Sequence, residues 1–214
     1  MTIYFLSGLG ANYSAFKYLT FSANCKVVFI DWLLPHKNES IKNYAKRIAE
    51  KINTQEPFIL VGLSFGGMLA TEVIGFVTPQ KTILISSVAR RQELPLYYKI
   101  AGNLGLNKLF PAAVIKKGNW FINWLMGVSK IKDKDLVQEI LAASNPEFSR
   151  WAINEIVNWK REVAPANIIR IHGNKDKILP IIKFKPQYLI IDGGHFMIAN
   201  RAAEISAILQ QQFE

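Results

Sequence analysis

The stretch VGLSFGG, residues 61–67, follows three apolar residues, Phe58, Ile59 and Leu60, and leads into a run of helical character from Met68 to Val77. One hydroxyl stands among three glycines. Glycine serves where a Cβ would clash or where the backbone must adopt a conformation closed to other residues. Gly62-Leu63-Ser64-Phe65-Gly66 has the spacing G-x-S-x-G. Between a strand and a helix, that spacing predicts a sharp, strained turn presenting Ser64 as a nucleophile. Residues two before and two after the serine pack closely against such a turn, which explains glycine at 62 and 66. The following helix would put its positive end beneath Ser64. The backbone N–H of Phe65 would then face an oxyanion formed there. The plainer reading of the same residues is a turn with a solvated hydroxyl.

Outward from this turn, short apolar segments alternate with amphipathic ones. Ile3–Leu6, Lys26–Asp31, Phe58–Gly62, Thr82–Ser86, Ile168–His172 and Gln187–Asp192 read as strands. Nearly continuous apolar strands belong to a parallel sheet covered on both faces. Ser40–Ile52 reads as a helix that opens on a capping serine and repeats Ile41, Ala45, Ile48 and Ile52 at helical spacing. Phe65–Val77 and Ala202–Phe213 are further helices. The alternation predicts an α/β fold with right-handed crossovers. From Leu94 to Glu162 no strand pattern occurs. This region reads as three or four helices, of which Asp133–Ser144 and Pro146–Arg161 are the clearest. It holds Trp120, Trp124, Trp151 and Trp159, four of the five tryptophans. Trp120 and Trp124 share one helix face at i and i+4, and most such aromatics pack as core between an insertion and the sheet. The predicted organisation is therefore a core of residues 1–92 and 163–214 with a helical insertion of residues 93–162.

The 214 residues suit one domain, and half of them are hydrophobic. No apolar run approaches the length of a membrane span. The N-terminal residues lack the features of a signal peptide, so a cytoplasmic protein is expected. The single Cys25 permits no internal disulfide and no cysteine metal cluster. The net charge of +10 is compatible with nucleic acid, an anionic membrane surface or an acidic substrate. The basic residues are scattered, with only short pairs at Arg90-Arg91 and Lys116-Lys117, so no nucleic-acid stripe is predicted.

A nucleophilic serine needs a base, and the base needs an orienting carboxylate. Of the three histidines, His195 lies in Gly193-Gly194-His195-Phe196, just beyond the last predicted strand, where a loop can reach over the strand ends. His172 ends the preceding strand and reads as a satisfied structural residue. His36 reads as a surface histidine. Asp176 lies four residues past the fifth strand, at the carboxyl edge where sites of open α/β sheets form. Asp192, nearer to His195 in sequence, ends a strand and is expected to be held locally.

These residues together resemble an α/β-hydrolase over nearly the whole chain. The order Ser64, Asp176, His195 is similar to that family's order of nucleophile, acid and histidine. His172-Gly173-x-x-Asp176-x-x-x-Pro180 resembles its acid loop, and Gly194-His195-Phe196 its histidine loop. Phe5-Leu6-Ser7-Gly8-Leu9-Gly10 resembles its His-Gly-x-Gly oxyanion turn, with Ser7 in the place of histidine. The resemblance implies a second oxyanion donor at the backbone N–H of Leu9. It also implies that the helical insertion, after the fourth strand, is a lid. The two usual leading strands have no counterpart, so the implied sheet has six mostly parallel strands in the order 2-1-3-4-5-6. The edge of so trimmed a sheet needs protection.

The implied activity is serine-dependent hydrolysis of a small or medium carboxylic ester, thioester or lactone through an acyl-enzyme, with a small-molecule substrate and neither metal nor organic cofactor. Two alternatives use the same fold: a non-catalytic ligand-binding protein, and a C–C hydrolase or lyase. A third starts from other residues. Gly8-Leu9-Gly10 after the first strand, with Asp31 about twenty residues on, resembles part of a dinucleotide fingerprint. Tyr13 occupies the place of its third glycine.

Overall fold

A computed structural model describes residues 1–105 and 120–213. Six strands form one sheet: β1 (Thr2–Leu6), β2 (Lys26–Ile30), β3 (Phe58–Leu63), β4 (Lys81–Ile85), β5 (Ile168–Gly173) and β6 (Tyr188–Ile190). Their spatial order is β2-β1-β3-β4-β5-β6. Every neighbouring pair is parallel, from Thr2 opposite Lys26 to Gly173 opposite Ile190. The expected order stands, and the ladders carry no antiparallel pair.

Alternation along the strands decides what each face buries. Ile3, Phe5, Ile59, Val61, Ile83, Ile85 and Ile171 point into one cluster, closed by Ile205 and Leu209. Tyr4, Leu6, Phe58, Leu60 and Leu84 point into the other, closed by Ile48, Met68 and Leu69. The covering helices are α1 (Ile41–Ala49) and α2 (Phe65–Val73) on one face and the C-terminal helix Ala202–Phe213 on the other. Ser40 caps α1 by accepting from the Asn43 N–H at 3.3 Å. Both α1 and α2 stop short of the expected ends. Their last turns tighten to i→i−3 bonds, Ile52 N–H to Ala49 O and Phe76 N–H to Val73 O.

Between β4 and β5 lie α3 (Leu96–Asn103), α4 (Trp120–Met126), α5 (Ile131–Ala143) and α6 (Pro146–Val157). Residues 106–119 of the predicted insertion lie outside the described residues. Asn145 caps α6, accepting from the Glu147 and Phe148 N–H groups, with Pro146 in the first turn. Close approaches tie the insertion down. A Cβ on Gly102 of α3 would meet the Val157 carbonyl at 2.4 Å. Trp151 donates its indole N–H to Glu39 O at 2.7 Å, and Glu155 accepts from the Ile41 N–H at 2.8 Å. Trp159 is buried and donates to Glu72. Trp159 is thus packed as core, and Trp151 is half-buried. Trp120 and Trp124 do not pack as core: they are 78% and 51% exposed, because α4 buries none of its residues fully.

The chain closes with α7 (Met197–Asn200) and the C-terminal helix, now α8. Among the described residues no helix is long and apolar enough to cross a membrane.

Candidate functional site

Ser64 sits between β3 and α2 with φ 52° and ψ −120°. A non-glycine residue seldom takes a positive φ, and such strain persists only where surrounding structure enforces it. Here the surroundings are glycines. A Cβ on Gly62 would lie 2.5 Å from Gly66 O, and one on Gly66 would lie 2.2 Å from Ser7 O. A Cβ on Gly67 would meet Ser87 Oγ at 2.4 Å. Backbone bonds pin the turn: Ser64 N–H to Ile85 O at 2.9 Å, and Ser87 Oγ–H to Ser64 O at 2.6 Å. Ser87 carried no signal in the sequence, since a serine after a strand is commonplace.

Ser64 Oγ lies 2.8 Å from His195 Nε2, and His195 Nδ1 lies 2.8 Å from Asp176 Oδ2. The structure thus brings together three side chains separated by up to 131 positions. His195 and Asp176 are buried, and Ser64 is partly open. The other oxygen of Asp176, Oδ1, accepts from the Ile178 and Leu179 N–H groups, each at 2.9 Å. Burial pushes the Asp176 carboxyl up. The His195 charge and the bonds from His172 and His195 outweigh it, holding the group well below the usual carboxylate range.

His172 is buried and hydrogen-bonded, as expected of a structural residue. Its Nε2 lies 2.7 Å from Leu179 O and 3.3 Å from Asp176 Oδ2, so two imidazoles approach one carboxylate oxygen. His36 is exposed, as expected. Asp192 is held locally: its N–H donates to Asn174 Oδ1 and its carboxylate pairs with Lys175 at 2.7 Å.

The turn after β1 lies against the serine, with a Cβ on Gly8 placed 3.6 Å from Ser64 Cβ. Ser7 fills the place of the expected histidine by donating to Ala11 O, which also accepts from the Trp32 indole at 2.8 Å. Leu9 and Phe65 line the same cavity as Ser64 and His195. After Gly10 comes only a four-residue 3-10 turn, Tyr13–Phe16. The dinucleotide reading needs a glycine turn that opens an α-helix on the pyrophosphate, and this turn does not provide one.

The cavity over Ser64 measures about 810 Å³. Its walls are apolar, drawn from Met68, α3, α4, Val137, Ile140 and Ile153, with Lys177 at one side. The histidine loop is fastened to the end of α4. Phe196 N–H donates to Met126 O at 2.9 Å and Asn200 Nδ2 to Gly127 O at 3.1 Å. Gly127, at φ +71°, and Gly194 meet so closely that a Cβ on either would lie 2.9 Å from the other's Cα. Among the described residues no group of three or more His, Cys, Asp or Glu is placed to hold a metal ion.

No protein-family model and no curated protein matches this sequence. Solved structures do match its shape. An esterase from Exiguobacterium antarcticum aligns over 99% of this chain and 91% of its own, at 15% identity and a TM-score of 0.73. A thermophilic esterase from Thermogutta terrifontis aligns over 100% of this chain and 89% of its own, at 14% identity and 0.69. A lipase-esterase related protein from Clostridium acetobutylicum aligns over 98% and 93%, at 16% and 0.66.

Proposed function

We propose, from the α/β-hydrolase fold that this chain shares with those esterases, that it is a serine hydrolase cleaving a small or medium carboxylic ester, thioester or lactone. The observation that carries the reading is the chain of two 2.8 Å contacts from Ser64 through His195 to Asp176, at the wall of an apolar cavity. The helical insertion acts as the lid of that cavity.

In the proposed mechanism, His195 Nε2 accepts the Ser64 proton as Oγ attacks the substrate carbonyl carbon. Asp176 fixes the imidazole tautomer, with the proton on Nδ1, and stabilises the imidazolium that forms. The N–H groups of Leu9 and Phe65 receive the oxyanion. Phe65 is the first residue of α2, where an N–H has no partner within the helix. Loss of one such donor costs about 3 kcal/mol of transition-state stabilisation. His195 gives its proton to the leaving group, which departs as alcohol, thiol or ring-opened hydroxyl. Water, deprotonated by His195, then attacks the acyl carbon, and His195 returns the proton to Ser64 Oγ as the acid leaves.

A fluorophosphonate probe tests the reading alongside turnover of a p-nitrophenyl ester. The wild type is expected to label and to turn over. Ser64→Ala is expected to do neither, and His195→Ala to lose nearly all of both. A folded wild type that neither labels nor hydrolyses a panel of esters, thioesters and lactones would overturn it.

A further inference from the structure

The sheet has two edges, and an open edge is a template for another strand. The β6 edge is only three residues long. The β2 edge is five, Lys26-Val27-Val28-Phe29-Ile30. The Lys26 N–H donates to Met1 O at 3.0 Å, on the β1 side. Backbone groups alternate in direction along a strand. Val28 and Ile30 therefore also bond toward β1, while Val27 and Phe29 turn their N–H and C=O groups outward. Among the described residues no other segment bonds to these outward groups. The features that blunt an edge are missing. No proline and no bulge interrupts the register with β1, and the one charged residue, Lys26, stands at the start. Side-chain cover is thin as well. Val27, Val28 and Phe29 are half-buried, whereas β1 and β3 are buried throughout.

The residues of this edge say what fits it. Its two ends carry opposite charge, Lys26 at one and Asp31 just past the other, and both are exposed. Among the described residues neither side chain is in an ion pair. An antiparallel copy of the same edge sets each lysine end beside the aspartate end of the other, whereas a parallel copy would align like with like. A two-fold axis through Val28 then places Val27 opposite Phe29 of the second copy, apolar against apolar, and their outward groups exchange hydrogen bonds. Tyr13, 62% exposed, stands beside Phe29 with ring centroids 6.3 Å apart and adds apolar surface at this seam. The +10 on each molecule opposes association, but it is screened beyond about 8 Å at physiological salt, which spares the end pairs.

We propose that the β2 edge pairs, antiparallel, with the β2 edge of a second copy of this chain, joining the two sheets into one continuous sheet. The pairing does not rest on the hydrolase reading above.

The test is sedimentation equilibrium of the full chain at physiological salt. The wild type is expected to dimerise as its concentration rises. Val27→Pro removes an outward N–H and leaves the bonds to β1 in place. It should weaken the dimer about tenfold or more, because two-fold symmetry loses the bond twice. Val27→Lys keeps the backbone whole and should weaken the dimer likewise, by setting an ammonium against Phe29 of the second copy. Register is read separately, in a Cys25→Ser background. Opposed residues that do not exchange hydrogen bonds stand about 4.5 Å apart at Cα, within reach of a disulfide. Val28→Cys should therefore cross-link the two copies under mild oxidation, and Val27→Cys should not. A wild type that stays monomeric at every concentration, or a dimer that neither Val27 substitution weakens, would overturn the proposal. So would a dimer that Val27→Cys links and Val28→Cys does not.

Discussion

Ser64 owes its position to atoms that are missing elsewhere. Gly66→Ala would drive a methyl group into the carbonyls of Leu6 and Ser7, at 2.3 and 2.2 Å. Both are backbone and cannot rotate away. A loss of about 1–3 kcal/mol or more is expected, read as a lower urea midpoint. Asp176→Asn keeps the shape but removes the acceptor that sets the His195 tautomer. It should lower kcat by roughly 10⁴-fold while probe labelling slows in parallel. Asp176 stays ionised through the ordinary carboxylate range, so under the proposed hydrolase reading kcat/KM should show no step belonging to this carboxyl. A step at ordinary carboxylate pH that Asp176→Asn removes would contradict this. Ser64, Asp176 and His195 were legible because each sits in a local pattern of glycines or strand ends. The approach of His172 to the same carboxylate was not, since it depends on how the loop from 173 to 179 folds back onto β5.

At the scale of elements, apolar periodicity located all six strands, and their order followed from the family resemblance. Ends were less legible. β6 covers only Tyr188–Ile190, because the Gln187 side-chain amide occupies the Ile168 O and Arg170 N–H groups of β5 that a longer ladder would use, and Asp192 turns away at φ 59°. Such shortness also leaves little open edge for another chain to pair with. The start of the insertion is fixed by a contact that no sequence pattern announced. Glu93 is buried and holds Arg170 of β5 through two bonds, at 2.7 and 3.0 Å, while also accepting from the Ala89 N–H and Arg90. Glu93→Ala would leave the Arg170 guanidinium buried without its counter-charge. A cost of about 3–5 kcal/mol is expected, measurable by chemical unfolding. Glu93→Met with Arg170→Met should recover much of it, and a double variant no more stable than the single would show that the charge was not the cause.

Across the whole molecule, the site also sets how the fold responds to acid. Asp176 titrates lower in the folded chain than in the unfolded one, so the unfolded state takes up this proton first as pH falls. Its contribution is fully present above the ordinary carboxylate value and declines below it. The stability gap between wild type and Asp176→Asn should therefore narrow from pH 7 to pH 3, and a gap that widened would reverse the assignment. The outward tryptophans were the largest misreading at this scale. Helical spacing says that two aromatics share a face, but not which face meets water. A final consequence concerns the seam between α4 and the histidine loop, where Met126 and Gly127 touch Gly194 and Phe196. The end of α4 and the histidine loop are sewn together there, so a shift of α4 would carry His195 with it. Replacement of α4 by a foreign segment is constrained in the same way, since it must keep a left-handed glycine at 127 or push the histidine loop aside.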